Sequence, residues 1–403
     1  MLRSGRYASD FQHPVGYGWV VLGIGFLAQA AFAAVALGLP AMAPALRSTF
    51  ELSLAEVGIM LAALSVGTTL TLIPWGVATD RVGERGVLLV GLGGCGIFLI
   101  WASTVDDLWT VAPLLLFAGM LGAVASVASG RAVMTWFDAS RRGMALGVRQ
   151  TAVPLGGALA ALTLPPLVAT AGVRWGLVAL GGFCGTAALA SLLWMRDSPE
   201  QSVAAPRLGT PTRDRRIWRL SLGSALLVFS QISILSFAVL FLHDARGMSA
   251  TAAGAVLATI QLLGAAARIA VGRWSDRLGS RMIPLSRVAV GMAIGWALVP
   301  LLFHLPLWLL VTGVVATGAA SVSWNGLSFT AAAEFAGSER SGTAIGLQQT
   351  VLFAAASTVP PLFGRLVEET TWRLSFGTLS VIALGAWIVL RPLVRAESER
   401  GPA

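Results

Sequence analysis

The chain has no lysine: all 28 of its basic residues are arginine. We read that as a compositional bias of the source rather than as chemistry. Charge is scarce altogether, at 12% of residues, where a soluble domain carries about 25%. There are two cysteines, Cys95 and Cys184, both inside apolar stretches. That excludes a disulfide framework and a cysteine-based metal site, and they read as packing thiols. The three histidines, His13, His243 and His304, fall at the ends of apolar runs or between them. No Asp or Glu lies near the middle of any apolar run; Glu56 and Glu334 sit near run ends. An intramembrane enzyme needs a nucleophile with a base, or metal ligands, converging at one depth. No such pairing is visible, so neither enzymatic activity nor a cofactor is expected. Residues 1–17 lack the short apolar core and small-residue cleavage site of a signal peptide, so the first apolar segment is expected to be retained.

Apolar residues make up 56% of the sequence. They come in stretches of about 20 residues separated by short charged links, the pattern of a multi-span helical membrane protein. Twelve spans are expected, over 17–45, 54–78, 86–104, 109–136, 143–170, 174–195, 217–244, 250–273, 283–304, 306–333, 341–364 and 373–394. Residues 196–216 hold Pro199, Pro206 and Pro211 among mixed charges and read as a linker. It divides an N-terminal bundle (1–195) from a C-terminal one (217–403). The formal charge of +9 is no nucleic-acid footprint, because the arginines lie between spans rather than along one face. With both termini inside, 22 arginines fall on the cytoplasmic side, five outside and Arg149 within a span. That asymmetry predicts an inner-membrane protein with cytoplasmic termini.

The chain repeats itself. Gly76-Val77-Ala78-Thr79-Asp80-Arg81-Val82-Gly83-Glu84-Arg85 returns 196 residues later as Gly272-Arg273-Trp274-Ser275-Asp276-Arg277-Leu278-Gly279-Ser280-Arg281. Gly, Asp, Arg, Gly and Arg match. A second echo joins Arg141 to Thr151 with Arg340 to Thr350, at an offset of 199. Two matches at nearly one offset point to a doubled six-helix unit. The Pro165-Pro166 and Pro360-Pro361 pairs further along the echoing spans are expected to bend or loosen them.

Gly76-x-x-x-Asp80-Arg81-x-Gly83-x-Arg85 and its copy resemble the loop signature of the major facilitator superfamily. The resemblance covers the whole chain. It implies an all-α fold of twelve transmembrane helices in two pseudo-symmetric six-helix bundles around a central cavity that opens to each side in turn. A monomer is implied. So is a latch: Asp80 would meet the start of span eleven at Ser341 and Gly342, and Asp276 the start of span five at Gly143, where free N–H groups favour a carboxylate. Gly83 and Gly279 allow a positive φ at the turn. Arg131, near the inner end of span four, is expected to pair with Glu84 or Asp80. Gly76, Arg81, Arg85, Gly272, Arg277 and Arg281 complete the two loops.

Polar groups deep in a span are costly, so each is a candidate for function. Arg149 lies about 9 Å into span five and reads as an anchor for an anion. The uncharged candidates are Gln29, Gln150, Gln231, Gln261, Trp324, Asn325, Gln348 and Gln349. Gln29 and Gln231 sit at comparable depths in the first span of each half. Trp324 is placed either to stack on a planar solute or to fill a core. Ser126, Ser129 and Arg268 read as structural. Val153-Pro154-Leu155-Gly156-Gly157 is close to the Gly-Pro-x-x-Gly-Gly signature of drug exporters, but lacks its leading Gly and is one residue short. A transporter of a small organic or inorganic anion, such as a monocarboxylate, is therefore expected, with a proton as candidate coupling ion. Efflux of drug-like compounds is the alternative.

Overall fold

In the computed structural model, the described residues are 16–137, 139–197, 214–337 and 341–398. Twelve helices are long and apolar enough to cross a membrane: Tyr17–Ala41, Leu54–Val82, Glu84–Ala102, Leu108–Trp136, Met144–Ala171, Val173–Trp194, Arg215–Ala245, Ala250–Leu278, Met282–His304, Leu307–Ala336, Ala344–Glu369 and Trp372–Ser398. They are spans one to twelve below. Strands are absent among the described residues. The expected linker falls almost wholly outside them.

Local chemistry sets where the helices start and stop. Span two opens on a capping box: Ser53 Oγ accepts from Glu56 N (3.2 Å) and Ser53 N donates to Glu56 Oε2 (2.8 Å). Its counterpart, span eight, opens on Ser249, whose Oγ accepts from Ala252 N (3.2 Å). Both spans stop at the expected glycines, Gly83 at φ 90° and Gly279 at φ 60°, where a side chain would strain the backbone. A carboxylate from just past the last helix of the first half, and one from within the last helix of the second, then cap the next span. Asp197 accepts from Arg85 N (2.8 Å) and Glu397 from Arg281 N (2.7 Å). Spans one and five differ from expectation, as do spans four and ten, described below. Span one ends at Ala41 and a separate short helix, Ala43–Thr49, carries the chain on. Span five is interrupted at Thr151, while helix runs unbroken through both proline pairs.

Each half is a compact bundle. Tyr17 Oη donates to the Trp194 carbonyl (2.7 Å), tying the start of span one to the end of span six. Cys95 and Cys184 are buried free thiols, with sulfurs 3.9 Å apart between spans three and six. In the second half, Trp296 stacks on Phe376 (5.5 Å, 4° between planes) within a group that includes Phe241, Phe363 and Trp372.

The halves meet along two seams, span two against span eleven and span five against span eight. In the first seam a Cβ on Gly58 would lie 2.4 Å from the Pro360 carbonyl oxygen, and one on Gly364 2.3 Å from that of Leu54. Ala55 N donates to Glu368 (3.1 Å), and Thr69 and Ser357 share a hydrogen bond (3.3 Å). In the second, Gly157 lies against Gln261 and Gly254 against Ala161 and Pro165. Arg47 and Asp244 form an ion pair across the same end. Toward the opposite end, which bears Asp80 and Asp276, the halves part. Gly147, Gly272 and Gly346 have no atom within 4 Å of where a Cβ would stand, and Met144, Val148 and Ile269 are exposed.

Candidate functional site

Span four is broken between Gly122 and Val124, and span ten at Trp324. A break frees backbone carbonyls from their helical partners, and side chains must satisfy them. Thr71 Oγ1 and Trp75 Nε1 both donate to the Met120 carbonyl (2.7 and 2.6 Å). Arg149, buried where span five is itself interrupted, reaches across to the lower part of span four.

The guanidinium of Arg149 is held by neutral acceptors only. Nε donates to Ser129 Oγ (2.8 Å), Nη1 to Gln150 Oε1 (3.2 Å), and Nη2 to both Gln29 Oε1 (3.1 Å) and the Ser126 carbonyl (2.5 Å). These bonds use four of the five N–H groups. None of the partners carries a charge, and a buried unpaired ion costs several kcal/mol. The cluster is therefore a fixed, uncompensated positive charge with one free donor. Gly130 lies beside it, 3.8 Å from the guanidinium carbon to a Cβ position.

The second half repeats the arrangement without the charge. Gln348 stands where the repeat would put Arg149, and donates to Ser328 Oγ (2.5 Å) and Ser224 Oγ (3.4 Å). Ser328 matches Ser129 at the same 199-residue offset. Several buried polar atoms on this side have no hydrogen-bond partner among the described residues: Gln231 Oε1, both amide atoms of Gln261, Trp324 Nε1, Asn325 Oδ1 and Gln348 Oε1. Buried polar groups are ordinarily paired, so these atoms carry unused hydrogen-bonding capacity. Arg268 does too: Nη2 donates to the Val322 carbonyl beside the break in span ten (2.9 Å), and Nε is buried without a partner.

Of the residues singled out from the sequence, Gln29, Arg149 and Gln150 come together directly. Gln261 packs on Gly157 of the exporter-like stretch, and Trp324 is wholly buried at its helix break. Gln349 is half-buried and makes none of these bonds. Ser126 and Ser129 were read as packing residues, yet they hold the arginine. Only the fold brings the Ser126 carbonyl and Ser129 Oγ within reach of span five. The loop residues form two further clusters. Arg131 bridges Asp80 (2.9 Å) and the fully buried Glu84 (2.6 Å). In the second half the arginine comes from the loop and one carboxylate from span ten: Arg281 bridges Asp276 and Glu334 (3.0 Å). Arg81 and Arg277 are exposed. The expected partners of Asp80 and Asp276, at Ser341, Gly342 and Gly143, have side chains outside the described set. A separate pocket of about 680 Å³ opens at the Arg47 end and shares no residue with the Arg149 cluster.

The Major Facilitator Superfamily profile matches residues 21–360 and 220–403. The chain belongs to this superfamily. It is thus a multi-pass membrane protein and a secondary transporter, not an enzyme. It is 34% identical over 376 residues to an uncharacterized MFS-type transporter of Mycobacterium tuberculosis, covering 92% of this chain and 84% of that one. It is 26% identical to the probable sulfoacetate transporter SauU of Cupriavidus necator, over 88% of this chain and 90% of its relative. Among solved structures it resembles a bacterial homolog of the human lysosomal transporter Spinster in its inward-facing, occupied conformation. The TM-score is 0.80 at 15% identity, covering 96% and 98% of the two chains. It also resembles a D-xylose–proton symporter (TM-score 0.74, 16% identity, 92% and 97% covered). These two likenesses concern the fold.

Proposed function

We propose that this transporter carries a small organic or inorganic anion, with Arg149 as its anchor. The observation that carries the reading is the buried guanidinium held only by Ser129, Gln150, Gln29 and the Ser126 carbonyl. Burial of an ion is tolerated when a counter-charge completes it, and a solute with at least one acidic group, of which a monocarboxylate is the simplest, supplies that charge. Two relatives fit this reading: the probable sulfoacetate transporter and a probable nitrate/nitrite transporter of Mycobacterium tuberculosis, 26% identical over 59% of this chain, are both named for anions. No carboxylate stands at mid-span to carry a proton, so a coupling proton would travel on the solute itself.

The arginine distribution supports a cytoplasmic Asp80 end, and on that reading the conformation is inward-open with its outer seams shut. Transport proceeds by closing the inner gap and parting the outer seams. In the outward-open state Asp80 and Asp276 dock at the starts of spans eleven and five, as latches across the halves. The test is uptake of radiolabelled anions by the purified protein in liposomes. Arg149→Gln abolishes saturable uptake. Arg149→Lys does not restore it, because an ammonium cannot reproduce the planar fork that four acceptors grip. Undiminished uptake by Arg149→Gln would refute the assignment.

A further inference from the structure

A second arginine, Arg268, lies on the same side of the second seam as Arg149, in the other half. In the second seam Gly157 of span five lies against Gln261 of span eight, with a Cβ on Gly157 falling 2.0 Å from Gln261 Oε1. From that contact span five runs back eight residues to Arg149, and span eight runs forward seven to Arg268. Both paths lead toward the open end. At 1.5 Å per residue they cover about 12 Å and about 10.5 Å, so the two Cα positions lie at similar distances from that contact along their helices. Seven residues is also close to two turns of 3.6, which places Arg268 on the face of span eight that Gln261 presents to the other half.

Arg268, like Arg149, has no acidic partner among the described residues. Its one hydrogen bond goes to the Val322 carbonyl, and its buried Nε is unpaired. Each arginine is thus fixed by a carbonyl of a broken helix, in span four or span ten, and each keeps at least one free N–H. A purely structural role for Arg268 would use Nη2 and leave nothing buried and unsatisfied.

Resting on the proposal that Arg149 anchors an anion, we infer that Arg268 is a second anion-binding residue and that the substrate class is a small solute with two acidic groups. A dicarboxylate or a sulfonate–carboxylate has this form. One group sits on Arg149 and the other on Arg268, so the solute bridges the halves and offsets both charges. Bridging would also couple occupancy to movement, since a ligand held by both halves favours the state in which they approach.

The test measures binding by the full-length purified protein in detergent, and uptake in liposomes, for paired probes: malonate, succinate and sulfoacetate against acetate and butyrate. Wild-type protein should bind at least one two-headed probe tenfold or more tightly than the one-headed ones. Arg268→Gln should remove that preference, weakening the two-headed probe at least tenfold and leaving the one-headed probes within twofold. Arg268→Lys, which keeps the charge, should retain part of the preference and guards against a variant that fails to fold. Arg149→Gln should weaken both kinds. Equal affinity of the wild type for both kinds, or equal loss of both in Arg268→Gln, overturns the role of Arg268 and leaves the anion reading standing. No anion bound by the wild type sinks both.

Discussion

Arg47 and Asp244 pair across the end of the molecule opposite Asp80 and Asp276, one from each half. Arg47 is held ready for this by a bond from its Nε to the Leu52 carbonyl (3.1 Å), and Asp244 sits on the π-helical turn Phe241–Ala245 that ends span seven. Both side chains are partly exposed, so the pair contributes only about 0.2–1 kcal/mol. That is enough to bias a two-state equilibrium. Asp244→Asn should shift the population toward outward-open by up to about fivefold, read as spin-label distances across this end. The exchange Arg47→Asp with Asp244→Arg should restore the balance. No shift in either would remove the pair from the gate.

The seam between spans two and eleven admits no side chain at Gly58. Gly58→Val places atoms on the backbone of Pro360 and Pro361, both within 2.6 Å of the Cβ position. Overpacking of this kind costs about 1–3 kcal/mol. We expect the outer seal to leak, with a lower melting temperature and faster labelling of a cysteine placed at Ala55. A variant as stable and as tightly sealed as the wild type would contradict the geometry.

Gly147, Gly272 and Gly346 present the opposite case. With open space before each in this conformation, enlarging them leaves the inward-open state unharmed. If they become helix contacts when the inner side closes, as small residues do in lipid, then Gly272→Leu should keep its melting temperature and substrate binding but lose turnover, with spin-label distances frozen inward-open. Normal turnover would show that the inner ends never approach closely.

Glu84 is wholly buried and bonded to Arg131. Removing one member of a buried pair costs about 3–5 kcal/mol when the other is left uncompensated; Arg131 keeps Asp80 here, so the loss is smaller, but it falls on the buried side of the cluster. Glu84→Gln should therefore lower the unfolding temperature more than Asp80→Asn, whose carboxylate is exposed. The comparison needs only thermal denaturation of the two purified variants; the reverse order would show that Asp80 is the main partner of Arg131.

The long helices were legible because lipid permits few alternatives: a run of apolar residues must be helical, and its ends show in residues such as Ser53, Gly83, Ser249 and Gly279. The site was legible in part. Arg149 and Gln29 stood out as polar groups at depth. Their contact did not, because it depends on how spans one, four and five pack. Ser129 looked like any small residue until span four proved to be broken above it. The break at Trp324 has no proline to announce it. Arg268 read as structural because it lies four residues before the loop signature; its bond to the Val322 carbonyl depends on how spans eight and ten pack, which the sequence does not show.

The bond from Tyr17 to Trp194 has a bearing on origin. It brings the first and last helices of the N-terminal unit together at one membrane surface. Six crossings return a chain to the side it started from, and here the two ends also lie side by side. A second unit can then be joined head to tail by a connector that never enters the bilayer, with neither unit disturbed. An odd number of crossings would have forced the added unit upside down.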